Sequence, residues 1–360
     1  MQGFQIARHG GPEVLQWGEL PKPEPGPGEV LVGVRACALN HLDLWVRNGV
    51  EGHSFPLPLI PGSEIAGVVE AWGDGVDDCS PGQPTLVAPG VSCGLCGRCV
   101  AAEDNFCRRY GILGEHRDGG YAEYVVVPRR NILRLPSGLS FVEAAALPLV
   151  FLTAWHMLVA RARLAPLEDV LIHAAGSGVS SAGIQIAKLL GAGKIIVTAG
   201  SDAKLELARE LGATHAINYN EDDFLRRVKE ITGKKGVEVA FDHVGGETFE
   251  RSCAALAWRG RIVLCGATSG HLARLNLRAV FFKSLSVLGS TMGSLAELRT
   301  LLRHVEAGRL RPVVDRTFPL AEAREAQATL ESRQQFGKIV LTVGDDEPAG
   351  PGDERESTPT

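Results

Sequence analysis

The spacing of apolar positions changes near the middle of the chain. Up to about residue 140 they come in short runs cut by Gly and Pro, at 29–35, 65–70, 86–88 and 121–127. Such runs predict short strands in a compact, barrel-like β domain. Between 141 and 158, Ala144, Leu147, Phe151, Ala154, Trp155 and Leu158 fall at helical spacing and predict linking helices. From Val170 the apolar runs 170–172, 195–197, 237–241, 261–266 and 285–289 alternate with helical periods. One helix is capped by Ser201 and turns Leu205, Ala208 and Leu211 inward; another covers about 221–232; Phe249, Cys253 and Leu256 mark a third. Strands alternating with helices predict a doubly wound parallel sheet, so the fold class is α/β.

The first unit of that alternation carries the strongest chemical signal. A strand at 170–172 runs into the small-residue loop Ala174-Ala175-Gly176-Ser177-Gly178, then into a helix stopped by Gly191 and Gly193. Strand, glycine turn, helix and strand form the unit that binds a dinucleotide. The turn lets backbone approach a pyrophosphate, and the helix N-terminus offers free N–H groups. Gly176, Ser177, Gly178, Val179 and Ser180 are the candidate contacts, and Gly266, ending a later strand, is another. Ser180 and Ser181 stand where a third glycine is expected, and serine is small enough for close helix–strand packing. An NAD enzyme places an acid at the end of the second strand, to accept from the ribose hydroxyls. Here that position is Ala199, followed by Gly200, Ser201 and, three further on, Lys204. Nothing there repels a 2′-phosphate, and Ser201 and Lys204 are candidates to bind one. NADP is the expected cofactor, with NAD possible.

Cysteine spacing adds a metal. Cys93, Cys96, Cys99 and Cys107 form C-x2-C-x2-C-x7-C, with Gly94 and Gly97 letting the loop wrap. Four thiolates fill all four positions of a tetrahedral zinc and leave none for water, so one structural zinc per chain is expected. An iron–sulfur cluster also takes four cysteines and is the lesser reading. Cys37, Cys79, Cys253 and Cys265 are scattered and read as small core residues.

Composition mostly excludes. The 360 residues suffice for two domains, and a net charge of −5 gives no footprint for nucleic acid. No apolar stretch reaches the length of a membrane span, and the N-terminus lacks a signal-peptide layout. A cytoplasmic protein acting on a small molecule is the expectation. Residues 294–343 hold two amphipathic helices and a final strand at 338–342, too few for a domain. They are expected to complete the first domain, giving 1–146 with 291–343 around an inserted 147–290. Residues 345–360 lack an apolar anchor and are expected to be disordered.

Together these features resemble the medium-chain dehydrogenase/reductase superfamily, the zinc alcohol dehydrogenase and quinone oxidoreductase group. The resemblance spans about residues 3–343. It rests on Pro61-Gly62-Ser63-Glu64-Ile65-Ala66-Gly67, the four-cysteine lobe, Gly119-Gly120-Tyr121-Ala122-Glu123-Tyr124, the glycine turn and Phe336-Gly337-Lys338-Ile339-Val340. It implies a GroES-like catalytic domain completed by the C-terminus, a Rossmann domain inserted between, and an active site in the cleft. It also implies that His41 and Lys338 contact the cofactor. At 285–289 it implies sheets joined across a two-fold axis, in a homodimer or homotetramer.

The chain departs from the zinc alcohol dehydrogenases at all three catalytic-zinc ligands. Asn40 stands for the cysteine of Cys-x-x-Asp, Ser63 for the histidine of Gly-His-Glu, and the third ligand falls near Pro148-Leu149-Val150, where none exists. Leu42 replaces the proton-relay hydroxyl. An amide, a hydroxyl and an aliphatic side chain do not replace that ligand set. Asn40 with Asp43 is similar to the zinc-free quinone oxidoreductases, though Trp45 stands where those often carry a Tyr. The expected function is NAD(P)H-dependent reduction of quinones or activated enones, with Asn40, Asp43, Ser63 and Glu64 as the candidate catalytic set. Two alternatives stay open: an alcohol dehydrogenase with unconventional metal ligands drawn from His41, Asp43, His53, Glu64 and His116, and a non-catalytic cofactor-binding protein. His156 and His173 are expected to pack near the domain junction.

Overall fold

The computed structural model describes residues 1–344; the segment expected to be disordered lies outside them. The N-terminal half is built on one long strand, Glu29–Ala38, buried along almost its whole length. Glu64–Trp72 pairs with it antiparallel on one side. Its other side is divided. Tyr124–Pro128 pairs with the first half, from Glu29 to Gly33, and Lys338–Thr342 with the second, from Ala36 to Ala38. Val314–Pro319 adds a parallel strand outside Lys338–Thr342. Two strands from the far end of the sequence thus complete a seven-stranded sheet begun by the N-terminus. Pro84–Val87 and Ile132–Arg134 extend it at the other edge. The hairpin Gln2–Ile6 with Leu15–Glu19 and the strand Val314–Pro319 escape the sequence reading, because each carries little apolar run of its own.

The second sheet has six parallel strands, in the spatial order 215–218, 195–199, 170–172, 237–242, 256–264, 286–289. Strand order reverses between Val170–Ile172 and Val237–Asp242. In open α/β sheets ligands bind in the crevice at such a reversal, beyond the C-terminal ends of the strands. The strand reaching Leu264 starts at Leu256, so that residue opens the strand rather than facing inward from a helix. The linking helices are Phe141–Ala145 and Pro148–Trp155; the second is buried nearly all round because it lies between the two sheets. No helix among the described residues is long and apolar enough to cross a membrane.

Candidate functional site

A cleft of about 650 Å³ runs between the two sheets, past the glycine turn and the strand reversal. The helix Gly178–Leu189 points its N-terminus into it, with Ser177 as cap: the Ser180 N–H donates to Ser177 Oγ at 3.1 Å. Gly176, Ser177, Gly178 and Val179 all line the cleft. Both glycines sit in close approach to lysine stems. A Cβ on Gly178 would come within 2.6 Å of Lys338 Cδ, and one on Gly176 within 2.9 Å of Lys204 Cδ. Backbone N–H groups in a cradle that side chains cannot fill suit a pyrophosphate. Ser180 packs behind the turn, where its hydroxyl donates to the His173 carbonyl at 2.7 Å. Ala199 ends the second strand and lines the cleft, as does Lys204, whose ammonium donates to the Arg333 carbonyl. Ser201 sits at the N-terminus of Asp202–Leu211, makes no side-chain capping bond, and is not among the lining residues. Gly266 lines the cleft between His243 and Trp45.

The lining residues outside the set named from sequence include Tyr219, His243, Arg251 and Arg333. His243 had a legible signal, since it directly follows the strand Val237–Asp242 at the sheet's reversal. Its Nε2 lies 3.1 Å from Ser177 Oγ and 3.0 Å from Ser180 Oγ, bridging the glycine turn to the next strand. Burial drops its pKa to about 4, and the His41 pKa likewise falls to about 4 through burial, with the Arg333 and Lys338 charges adding to it. Both imidazoles are neutral near pH 7.

At the inner end, where alcohol dehydrogenases carry a catalytic zinc, Asn40 and the Leu149 backbone are tied through Glu64 and Lys338 by hydrogen bonds and an ion pair. Asn40 precedes the helix His41–Asn48 and lines the cleft. Its Oδ1 accepts from Lys338 Nζ at 2.7 Å, and its Nδ2 donates to Glu64 Oε2 at 3.1 Å. Lys338 Nζ also donates to the Leu39 carbonyl and lies 2.6 Å from Glu64 Oε2. The other Glu64 oxygen accepts from the N–H groups of Leu149 (2.6 Å) and Val150 (3.1 Å), at the start of Pro148–Trp155. An ammonium, an amide and a carboxylate thus bond to one another at the centre. Those donors do not fit a catalytic zinc. Lys338 reaches the cleft with its stem while its charge is turned inward.

Asp43, Ser63 and Glu64 lie behind the cleft wall and do not line it. Asp43 Oδ2 accepts from the Asn40 N–H at 2.8 Å and the Tyr121 hydroxyl at 3.1 Å. Burial pushes its pKa up to about 6. Ser63 Oγ is buried without a partner among the described residues.

The cysteine lobe fits a metal well. Sγ separations are 3.8 Å for Cys93–Cys99, 3.6 Å for Cys96–Cys99 and 3.8 Å for Cys96–Cys107. A tetrahedron with zinc–sulfur bonds of roughly 2.3 Å has edges of about 3.8 Å. The lobe is fastened to the cleft wall: Asn105 Nδ2 donates to the Thr291 carbonyl at 3.2 Å, and the Leu295 N–H donates to Asp104 at 3.0 Å. His156 bonds to Glu297 beside this contact, and His173 bonds to Thr198 and Ser252 within the Rossmann core.

Residues 26–137 match the family model described as alcohol dehydrogenase GroES-like domain, and 178–307 the one described as zinc-binding dehydrogenase. A quinone oxidoreductase of Pseudomonas aeruginosa is 35% identical, over 94% of this chain and 98% of that protein. An NAD-dependent alcohol dehydrogenase of Saccharolobus solfataricus is 33% identical, over 95% and 99%. Among solved structures, an NAD-dependent alcohol dehydrogenase superposes with a TM-score of 0.92 at 51% identity, covering 96% of this chain and all of that one. A cobalt- and zinc-bound thermostable alcohol dehydrogenase from Pyrobaculum aerophilum gives 0.86 at 35% identity, covering 95% and 99%.

Proposed function

The chain belongs to the medium-chain dehydrogenase/reductase superfamily of NAD(P)-dependent oxidoreductases, and from that premise we propose that it reduces quinones or activated enones with NADPH, without a metal at the reacting centre. The carrying observation is the Lys338–Asn40–Glu64 cluster at the catalytic-zinc position. The bound nicotinamide cofactor supplies the hydride. The residues of the chain orient and stabilise. The Lys338 ammonium draws electron density from Asn40 Oδ1, which makes the amide N–H groups stronger donors. One of those hydrogens is held by Glu64. The other makes only a long bond to the Ala38 carbonyl, 3.4 Å, and is the one to be exchanged for a substrate oxygen as charge develops there. Leu42, Trp45 and Leu149 give an apolar wall against which a flat quinone or enone packs.

The preference for NADPH rests on Ala199, which leaves no carboxylate to bind ribose hydroxyls, and on Lys204 nearby. Cys93, Cys96, Cys99 and Cys107 are read as the holders of one structural zinc. All eight cysteines are free, in keeping with a reducing cytoplasm. The test is a panel of quinones, enones, aldehydes and alcohols assayed with both cofactors, with metal content measured on the same sample. Turnover confined to alcohols and aldehydes refutes the proposal.

A further inference from the structure

The structure brings together three side chains outside the zinc lobe and the catalytic cluster. His53 comes from the loop after the first helix, Glu115 and His116 from the loop after Gly111–Ile112. One donor atom from each lies within 4.8 Å of the other two. His53 Nε2 is 3.5 Å from Glu115 Oε1, and His116 Nδ1 is 3.6 Å from Glu115 Oε2. Ligands about 2.1 Å from a tetrahedral ion are roughly 3.4 Å apart, so each histidine lies near ligand spacing from one of the two Glu115 oxygens. Both rings are more than a third exposed, which leaves them room to swing. Glu115 is the fixed member: its side chain is 12% exposed and it lines the cleft.

We propose that His53, Glu115 and His116 form a second, weaker site for a divalent transition ion, at the outer rim of the cleft. Two imidazoles and a carboxylate are a donor set for Zn2+ and its neighbours rather than for Mg2+ or Ca2+, which prefer oxygen. Coordination replaces a single bond, in which His116 Nδ1 accepts the Ile112 N–H at 3.2 Å. Phe55 packs against the His53 ring, with centroids 4.5 Å apart, and steadies that loop. Three protein ligands leave a fourth position for water. An ion there also staples the loop carrying His53 to the loop carrying Glu115, which narrows the rim. The site shares no ligand with the cysteine lobe.

Co2+ titration of the full chain, with its zinc lobe occupied, tests this. We expect one further Co2+ per chain, with the absorption of nitrogen and oxygen ligands and no thiolate charge-transfer band. His53→Ala and Glu115→Gln each weaken this binding by at least tenfold. Both variants unfold at the wild-type temperature when no metal is added, which separates loss of the site from loss of the fold. His41→Ala leaves the binding unchanged. Absence of a second Co2+, or a second Co2+ that survives both His53→Ala and Glu115→Gln, overturns the proposal. Loss of the site on His41→Ala also overturns it, because it moves the ion to the inner cleft.

Discussion

Lys338 Nζ lies 2.6 Å from Glu64 Oε2, and both side chains are almost fully buried. The pair joins the last strand of the chain to the second strand of the N-terminal sheet, across the point where alcohol dehydrogenases hold their catalytic metal. A buried pair is expensive to break from one side, because the remaining charge is left unpaired. Lys338→Met is expected to destabilise the protein by roughly 3–5 kcal/mol, in the range for removing one partner of a buried ion pair. The double variant Lys338→Met, Glu64→Gln is expected to recover part of that loss. Denaturant melts of the wild type, both single variants and the double variant measure the coupling. Additive losses would show that the two groups act independently.

This cluster also marks where sequence reading stops. The glycine turn, the strand–helix alternation and the cysteine spacing are local patterns, and the sheet order, the cradle at Gly176 and Gly178 and the cysteine geometry fit what they imply. Asn40, Glu64 and Lys338 were each legible as site residues, but their mutual arrangement was not. Lys338 is 298 residues from Asn40, and only the antiparallel pairing of Lys338–Thr342 with Ala36–Ala38 brings them together. Arg333 and Arg251 were invisible for a similar reason: an isolated arginine in a loop or on a helix has no spacing pattern. Ser63 and Asp43 occupy the motif positions expected of site residues, yet their side chains point behind the wall, and no local pattern reports that choice of face.

The zinc lobe is expected to govern stability more than chemistry. Cys107→Ser removes one ligand of the site that braces Asn105 and Asp104 against Thr291 and Leu295. The expected result is a marked fall in unfolding temperature, with a smaller change in turnover at temperatures where the variant stays folded. Structural zinc contributes on the order of 10 kcal/mol in small peptides and less where a large domain already folds. Elemental analysis of the purified protein is expected to give one tightly held zinc per chain. Absence of zinc with all four thiols titratable would disprove the assignment.

Cofactor choice is read from the end of the second strand. The unmodified protein is expected to use NADPH with higher kcat/KM than NADH. Ala199→Asp places a carboxylate where the ribose hydroxyls bind and repels a 2′-phosphate, so the ratio is expected to shift towards NADH. Lys204→Ala should raise the KM for NADPH more than that for NADH. Equal or better efficiency with NADH in the unmodified protein would refute the reading.

Several apolar residues are left uncovered near the edge of the parallel sheet. Val287 lies in the edge strand Ser286–Gly289, and Phe281 and Phe282, about 65% exposed, stack on each other in the preceding helix. An uncovered apolar sheet edge invites pairing. The expected assembly is a two-fold dimer joined there, or a tetramer built from it. Val287→Lys is expected to yield monomers, read by light scattering at micromolar concentration. A wild-type protein that is monomeric under the same conditions would refute the assembly.

Acid should weaken the fold. Burial holds the His41 and His243 pKa values at about 4 and that of His173 at about 3, against an ordinary 6.5. As pH falls below 6.5 the unfolded chain binds protons on these three groups and the folded chain does not, so stability is lost progressively towards pH 4. Asp43 opposes this. With its pKa raised to about 6, the folded chain takes that proton first, and stability is regained between pH 6 and 4. Three protons against one leave the unfolded chain taking up about two more protons than the folded chain on these four groups, so their combined contribution to stability falls as pH drops through 5. Asp43→Asn is expected to steepen the slope and His173→Asn to flatten it. Denaturant titrations at pH 4.5, 5, 5.5 and 6 read the slope directly, and a flat profile would contradict the assignment of these groups as buried and neutral.

The last prediction concerns the chemistry. Oxidising a simple alcohol calls for a Lewis acid to stabilise the alkoxide as hydride leaves. Asn40, Ser63 and Leu149 occupy the ligand positions, and the Lys338 ammonium has its three protons directed to Leu39, Asn40 and Glu64. A quinone or enone is already electrophilic and needs only orientation and a donor for the developing oxyanion. Loss of one such donor typically costs about 100- to 1,000-fold in rate. Asn40→Ala is therefore expected to lower kcat by a factor in that range while leaving NADPH binding close to wild type, read by cofactor fluorescence. Asn40→Asp should behave differently, because a carboxylate pairs with Lys338 but offers no N–H to substrate and crowds Glu64. It is expected to lower kcat as well and to bind substrate more weakly. Quinone or enone reduction should survive chelators too weak to strip the cysteine lobe, and ethanol-like alcohols should be oxidised little. Robust alcohol oxidation that such a chelator abolishes reversibly, with the fold intact, would place a catalytic metal in this cleft and overturn the metal-free reading.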